Sequence, residues 1–271
     1  MPERVIDSVA DSVVITRPAA QAGPLAARLA ALGLPVTVLP LLEIHALTGL
    51  EEKAQLADTL ARLTDYDLVT FVSPNAIDKV FAQLPGWPSG LPIAVVGEGS
   101  RLALAAHGVT DANATITSPQ DSTRSDSEHL LLALDLPSLR GKRVLIVRGD
   151  GGRDFLADGL RAAGAEVDFI TAYRRAVPVL TPALQATLEK LLQHHHDWII
   201  TSSEALRGLL QLLDLLRQQA GNDGIVVRMQ QQDLIVPHAR IAQTAAGLGF
   251  AHVTLTGSGD AGVLAALQSR P

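Results

Sequence analysis

Short β-branched runs alternate along the chain with longer stretches in which leucines recur at helical spacing, the pattern of strands alternating with helices. The run Val13-Val14-Ile15-Thr16-Arg17-Pro18 opens one such segment. A helical pattern follows through Leu25, Leu29 and Leu32. Gly33 then stands where a helix-terminating residue belongs, and a second apolar run extends from Val36 to Ile44. The same pattern returns 131 positions later, with Arg148 matching Arg17 and Gly164 matching Gly33. Each copy predicts a β-α-β unit.

Two further repeats have the form strand, polar turn, helix. Leu68 to Ala76 pairs with Trp198 to Ala205. Ile93 to Val96 with a helix ending at Gly108 pairs with Leu234 to Val236 and a helix ending at Gly249; the turn Gly97-Glu98-Gly99-Ser100 is matched there with Pro237-His238-Ala239-Arg240. Two similar α/β halves follow, each with a mostly parallel sheet covered on both faces and ligand-binding groups just after the strands. The polar stretches Asn113 to Asp126 and Gln218 to Gln232 read as loops. A cut near Pro137 to Gly141 would give two contiguous domains, but the runs Leu39 to Ala46 and Ile170 to Val177 outlast ordinary strands and can instead pair as a connector.

Composition narrows the function. At 271 residues and 47% apolar the chain can build two cores, and the 3% of aromatic residues favours helices on sheets over an all-β sandwich. With no cysteine there is no disulfide framework, thiolate metal site or thiol nucleophile. A net charge of −6 argues against nucleic-acid binding. Glu3, Asp7 and Asp11 near the start leave no apolar export segment, and no run is long enough to span a membrane, so a cytoplasmic protein is expected.

Candidate chemistry gathers after the strands. Arg17 and Arg148 precede helix N-termini, where free N–H groups and the helix dipole favour anions; the alternative is a simple ion pair with a neighbouring carboxylate. Ser73, before Pro74 and Asn75, and Ser202, before Ser203, sit where helix caps belong, and such caps also offer hydroxyls and amides to a ligand. Gly97 with Ser100 makes half of a dinucleotide fingerprint; the third glycine is missing, so a turn with Ser100 capping the next helix is expected rather than NAD. Arg148-Gly149-Asp150-Gly151-Gly152-Arg153 reads as a glycine-rich anion cradle without the Lys-Ser/Thr pair of a nucleotide loop. His194, His195 and His196 are consecutive, cannot chelate one metal, and are expected at a solvated helix end. His238 and Arg240 could face an anion. Tyr173, beside Arg174 and Arg175, is either packing or a functional phenol.

Taken together, these segments resemble the uroporphyrinogen-III synthases of the bacterial type. The likeness rests on Val14-Ile15-Thr16-Arg17-Pro18, Leu39 to Ile44, Phe71 to Ala76, Val95-Val96-Gly97, Val147 to Arg153, Ala172-Tyr173 and Arg240-Ile241-Ala242. It implies two α/β domains joined by a two-stranded ladder: Met1 to Leu39 with Pro178 to Pro271 as one domain, Leu47 to Phe169 as the other, and Pro40 to Ala46 with Ile170 to Val177 as the linker. It further implies a monomeric lyase, free of cofactor and metal, that cyclises the octacarboxylate hydroxymethylbilane with inversion of ring D. Tyr173 then matches the family's proposed proton donor, and Ser73, Ser100, Ser202 and Ser203 match carboxylate-holding positions. A non-catalytic binder of an anionic tetrapyrrole or polycarboxylate is the rival reading, and an exported solute-binding protein ranks behind it.

Overall fold

The computed structural model describes residues 12–121, 124–221 and 224–269. The acidic N-terminal stretch ending at Asp11, the middle of the Asn113 to Asp126 segment and Asn222 lie outside them.

In chain order the elements are β1 (Val13–Ile15), α1 (Ala19–Ala31), β2 (Val36–Val38), β3 (Glu43–His45), α2 (Leu50–Ala61), β4 (Leu68–Phe71), α3 (Pro74–Phe81), β5 (Ile93–Val95), α4 (Glu98–Ala106), β6 (Ile116–Thr117) and α5 (Ser127–Ala133). They continue with β7 (Arg143–Gly149), α6 (Phe155–Ala162), β8 (Glu166–Ala176), α7 (Pro182–Leu191), β9 (Asp197–Ile199), α8 (Ser203–Ala220), α9 (Ile225–Gln230), β10 (Asp233–Val236), α10 (Ala239–Gly247), β11 (His252–Leu255) and α11 (Gly259–Gln268). They form two α/β units, one drawn from the chain up to Glu43 and from Ala176 onward, the other from Ile44–Arg175.

The first unit's sheet has the order β11-β10-β9-β1-β2, all pairings parallel. Renumbered within the unit, that is the doubly wound order 2-1-3-4-5. The second sheet runs β3-β8-β7-β4-β5-β6, with parallel pairing from β8 through to β6. Without β3 it is the same sheet entered at a different strand. The repeat seen in the sequence is a repeat of register: Val13 faces Val36 as Val144 faces Val167, and Ile15 faces Val38 as Ile146 faces Phe169. Gly33 and Gly164, at φ of 79° and 91°, end the matching helices α1 and α6 in the left-handed region that glycine enters without a Cβ penalty.

Alternation along each strand sends side chains to two helical layers. In the first unit Val14, Trp198, Leu234 and Val236 pack with α7, α8 and α10. Val13, Ile15, Ile199 and Ile235 pack with α1 and α11 on the other face. In the second, Val69, Phe71, Ile93, Val95, Leu145 and Val147 meet α2, α3 and α4. Leu68, Ala94, Val144 and Ile146 meet α5 and α6.

Several expectations change. The Gln218 to Gln232 segment is largely helix: α8 runs on to Ala220, driven by buried Leu206, Leu209, Leu213 and Leu216, and α9 is anchored by the fully buried i, i+4 pair Ile225 and Met229. The Leu39 to Ala46 run is not one strand. Pro40 has no N–H to donate, β2 stops at Val38, and Leu39, Leu41 and Leu42 enter the first unit's core before β3 begins. The run from Ile170 is, through Ala176, the end of the 11-residue strand β8, which β3 flanks at the edge of the second sheet. Residues 137–141 lie in a 3-10 turn before β7, inside one unit. The pairing of Gly97 with Pro237 is one position out. Ile93 and Leu234 hold equivalent registers, against Val69 and Trp198, so Gly97 corresponds to His238, and these two residues are the N-caps of α4 and α10. Among the described residues no helix is long and apolar enough to cross a membrane.

Candidate functional site

In the second unit the connections leaving β4 and β7 run to opposite sides of the sheet, which opens a crevice at the carboxyl ends of these adjacent strands, where doubly wound sheets bind ligands. Three of the expected residues meet there. Tyr173 on β8 is only 5% exposed. Its ring passes over Gly149 at the end of β7, and its phenol oxygen lies 3.0 Å from Ser73 Oγ at the end of β4. A β-carbon on Gly149 would fall 2.8 Å from Tyr173 Cε2 and 2.9 Å from Cζ, so the ring occupies the space that any side chain at 149 would need.

Ser73 caps α3 as expected, accepting from Ala76 N–H at 3.2 Å, with Pro74 in the first turn. Asn75 follows in the same turn. Gly97 caps α4 with extended backbone, and Ser125 packs directly against its α-carbon. Ser100 does not cap that helix. It lies inside α4, 2% exposed, because the helix begins at Glu98 once Gly97 supplies the cap.

The arginines follow the plainer of the two readings. Arg148 turns back over the Phe169 ring, 3.9 Å from its centroid, and pairs with Asp154 at 2.8 Å. Arg153 makes a two-pronged pair with Glu128 on α5, one branch 3.0 Å long, and these hydrogen bonds raise the guanidinium's pKa further. Arg17 pairs with Asp260 on α11. Arg174 pairs with Glu52, and Asp150 accepts from Arg175 N–H at 2.9 Å.

In the first unit Ser202 caps α8, accepting from Glu204 and Ala205 N–H at 3.2 and 3.3 Å. Ser203 accepts from Thr244 Oγ1 at 3.1 Å. His238, at the head of α10, lies 3.3 Å from Ser258 Oγ through Nδ1, and Arg240 is exposed on the first turn of that helix. Of the triple histidine after α7, His194 is exposed and His195 half-buried beside Asp233, as a solvated helix end would have them, but the third is not. His196 is 5% exposed, bonded to Ser12 and, through its N–H, to Gln232, because the chain turns straight into the central strand β9. Among the described residues no group of His, Asp and Glu is arranged to hold a metal. Sequence reasoning missed Glu128, Asp154 and Asp260 as arginine partners and Ser125 as the neighbour of Gly97.

A family model described as Uroporphyrinogen-III synthase HemD matches residues 23–255. The uroporphyrinogen-III synthase of Salmonella typhimurium is 34% identical over 253 residues, covering 92% of this chain and 96% of its own. That of Escherichia coli is 32% identical over the same coverage. In fold the chain is similar to the synthases of Helicobacter pylori, with TM-score 0.59, 17% identity and coverage of 96% of this chain and 99% of that one, and of Thermus thermophilus, a mutant with TM-score 0.54, 14% identity and coverage of 96% and 100%. With a family match across most of its length and relatives above 30% identity over nearly all of it, the chain belongs to the uroporphyrinogen-III synthase family.

Proposed function

We propose that the protein converts hydroxymethylbilane into uroporphyrinogen III, closing the linear tetrapyrrole with inversion of ring D and release of water. The near full-length likeness to curated synthases carries this reading, and the phenol held in the switch-point crevice supplies a group to do the chemistry.

Tyr173 gives its proton to the departing hydroxyl. The C–O bond breaks, its electron pair leaves with the oxygen as water, and the pyrrole nitrogen lone pair fills the carbon to give an azafulvene. The substituted carbon of ring D attacks, the spiro intermediate fragments and recloses, and the proton lost from ring D at the end restores the phenol. Because the free azafulvene closes at the unsubstituted carbon, selection of the other geometry is the main task, and positioning can supply several kcal/mol of it, of order 7 or more in favourable cases. The substrate's carboxylates are held by Asn75 and the Gly97 turn in the second unit and by Ser202, Ser203, His238 and Arg240 in the first, while Ser73 and Gly149 lie against the phenol. Arg17, Arg148 and Arg153 contribute positive charge that substrate carboxylates share with Asp260, Asp154 and Glu128. The enzyme acts in the cytoplasm as a monomer without cofactor or metal.

The test is direct. Supplied with hydroxymethylbilane, the protein should yield mainly the type III isomer after oxidation and separation, where the blank yields type I. Type I alone would mean that the chain binds without catalysing. Tyr173→Phe should lower kcat by about 100-fold, the low end of general acid catalysis.

A further inference from the structure

We propose that Ser73 and Gly149 are positioning residues for the Tyr173 phenol: Ser73 donates its hydroxyl proton to the phenol oxygen, and Gly149 leaves the space in which the ring is held. The inference rests on the proposed role of Tyr173 and adds the orientation of its proton.

The direction of the 3.0 Å contact follows from the cap. Ser73 Oγ already accepts from Ala76 N–H, and a hydroxyl that accepts one hydrogen bond becomes a better donor in the next. With serine as donor, the phenolic O–H is left free to aim at a leaving hydroxyl. With the phenol as donor, its proton would be spent on the protein. After proton transfer the phenolate oxygen would sit against a donor at the head of the eight-residue helix α3, where the dipole favours negative charge.

Gly149 sets where that oxygen lies. Its backbone is outside the left-handed region, so the main chain would accept alanine, and the new methyl would act by displacing the ring. The other unit supports the assignment. At the same offset of 131, Pro18 and Leu42 stand where Gly149 and Tyr173 stand, and Ser202 there caps its helix, accepting from two amides, with no phenol in its unit to orient.

The test is a double-mutant cycle on the full chain with hydroxymethylbilane as substrate, reading kcat, KM, isomer ratio and melting temperature for each variant. Ser73→Ala should lower kcat about tenfold with KM within about twofold, and Ser73→Thr should restore it. Ser73→Asp keeps an excellent cap but can only accept, so its melting temperature should hold while kcat falls as far as in the alanine variant. In a Tyr173→Phe background Ser73→Ala should cost no more than about twofold further. Gly149→Ala should lose kcat nearly as far as Tyr173→Phe. If the tenfold loss persists in the phenylalanine background, or appears in KM, Ser73 acts on the substrate directly; the inference is overturned and the role of Tyr173 stands. Wild-type turnover by Tyr173→Phe would overturn both.

Discussion

The two units share strand order and register, yet only one carries a phenol at its switch point. Around β1 and β9 the crevice is framed by Arg17 and the cap Ser202, and Leu42, the counterpart of Tyr173 by spacing, is buried in the core. Around β7 and β4 the same frame holds Gly149, Tyr173 and Ser73. A repeated scaffold thus supplies two similar strand ends, and where one has a packed leucine, Leu42, the other has a phenol, Tyr173, beside the switch point.

The contrast extends into the cores. Trp198 on β9 occupies the register position of Val69 on β4, both fully buried. Trp198→Ala should destabilise the first unit by about 3–5 kcal/mol, and Val69→Ala should cost the second about half as much. The second unit holds Trp87, so fluorescence in denaturant follows the Val69→Ala loss, while the Trp198→Ala variant, whose first unit then has no tryptophan, is followed by far-ultraviolet circular dichroism with Trp87 fluorescence marking the second unit's transition. Equal losses would show that register equivalence does not extend to packing.

A smaller effect is expected where β9 begins. Buried Gln232 accepts from His196 N–H at 2.8 Å and Trp198 Nε1 at 3.2 Å, and donates to His194 O at 3.0 Å. Gln232→Leu strands these groups and should cost about 2–3 kcal/mol in a denaturation midpoint. Thr70 in the middle of β4 shows the reverse. Its hydroxyl is buried with no hydrogen-bond partner among the described residues, where the first unit has Ile199 at the equivalent register. Thr70→Val should raise the stability of the second unit, by up to about 1 kcal/mol.

The smallest effect concerns acid. Asp67, just before β4, accepts from Lys142 Nζ and Arg143 N–H, both at 2.9 Å, and these bonds hold its carboxyl below the usual range. A lowered carboxylate pKa stabilises the fold above the unfolded value and loses that contribution as pH falls through the folded one. Asp67→Asn should therefore flatten the stability profile from about pH 4 downward, by well under about 1 kcal/mol because the pair faces solvent. Tyr66 behaves oppositely. Desolvation and the Asp168 hydrogen bond raise its pKa, so its contribution is complete below about pH 10 and fades above it. Tyr66→Phe should remove that alkaline loss in the same titration.

What could be read in the sequence was what local pattern and spacing encode. The 131-residue repeat marked two matching β-α-β units, which the structure shows in the same register, Gly33 and Gly164 marked helix ends, and Ser73 and Ser202 marked helix starts. What could not be read depends on distant partners. Arg17 meets an aspartate 243 positions away and Ser73 meets Tyr173 across 100, and no local periodicity reports either. The buried His196 was hidden because a polar triplet looks solvated until a strand is known to follow it at once. The Gln-rich segment hid a helix because the glutamines around it masked the apolar residues of α9, of which Ile225 and Met229 are buried.

The chain order of the strands has a consequence for synthesis. The second unit is one uninterrupted stretch and can close as soon as β8 has left the ribosome. β1 and β2, made first, must wait for β9 to emerge some 160 residues later, on the order of ten seconds at typical elongation rates. During that interval the nascent amino-terminal β-α-β segment exposes Val13, Ile15 and Leu25 without a sheet to receive them, which makes it the part of the newborn chain most in need of a chaperone.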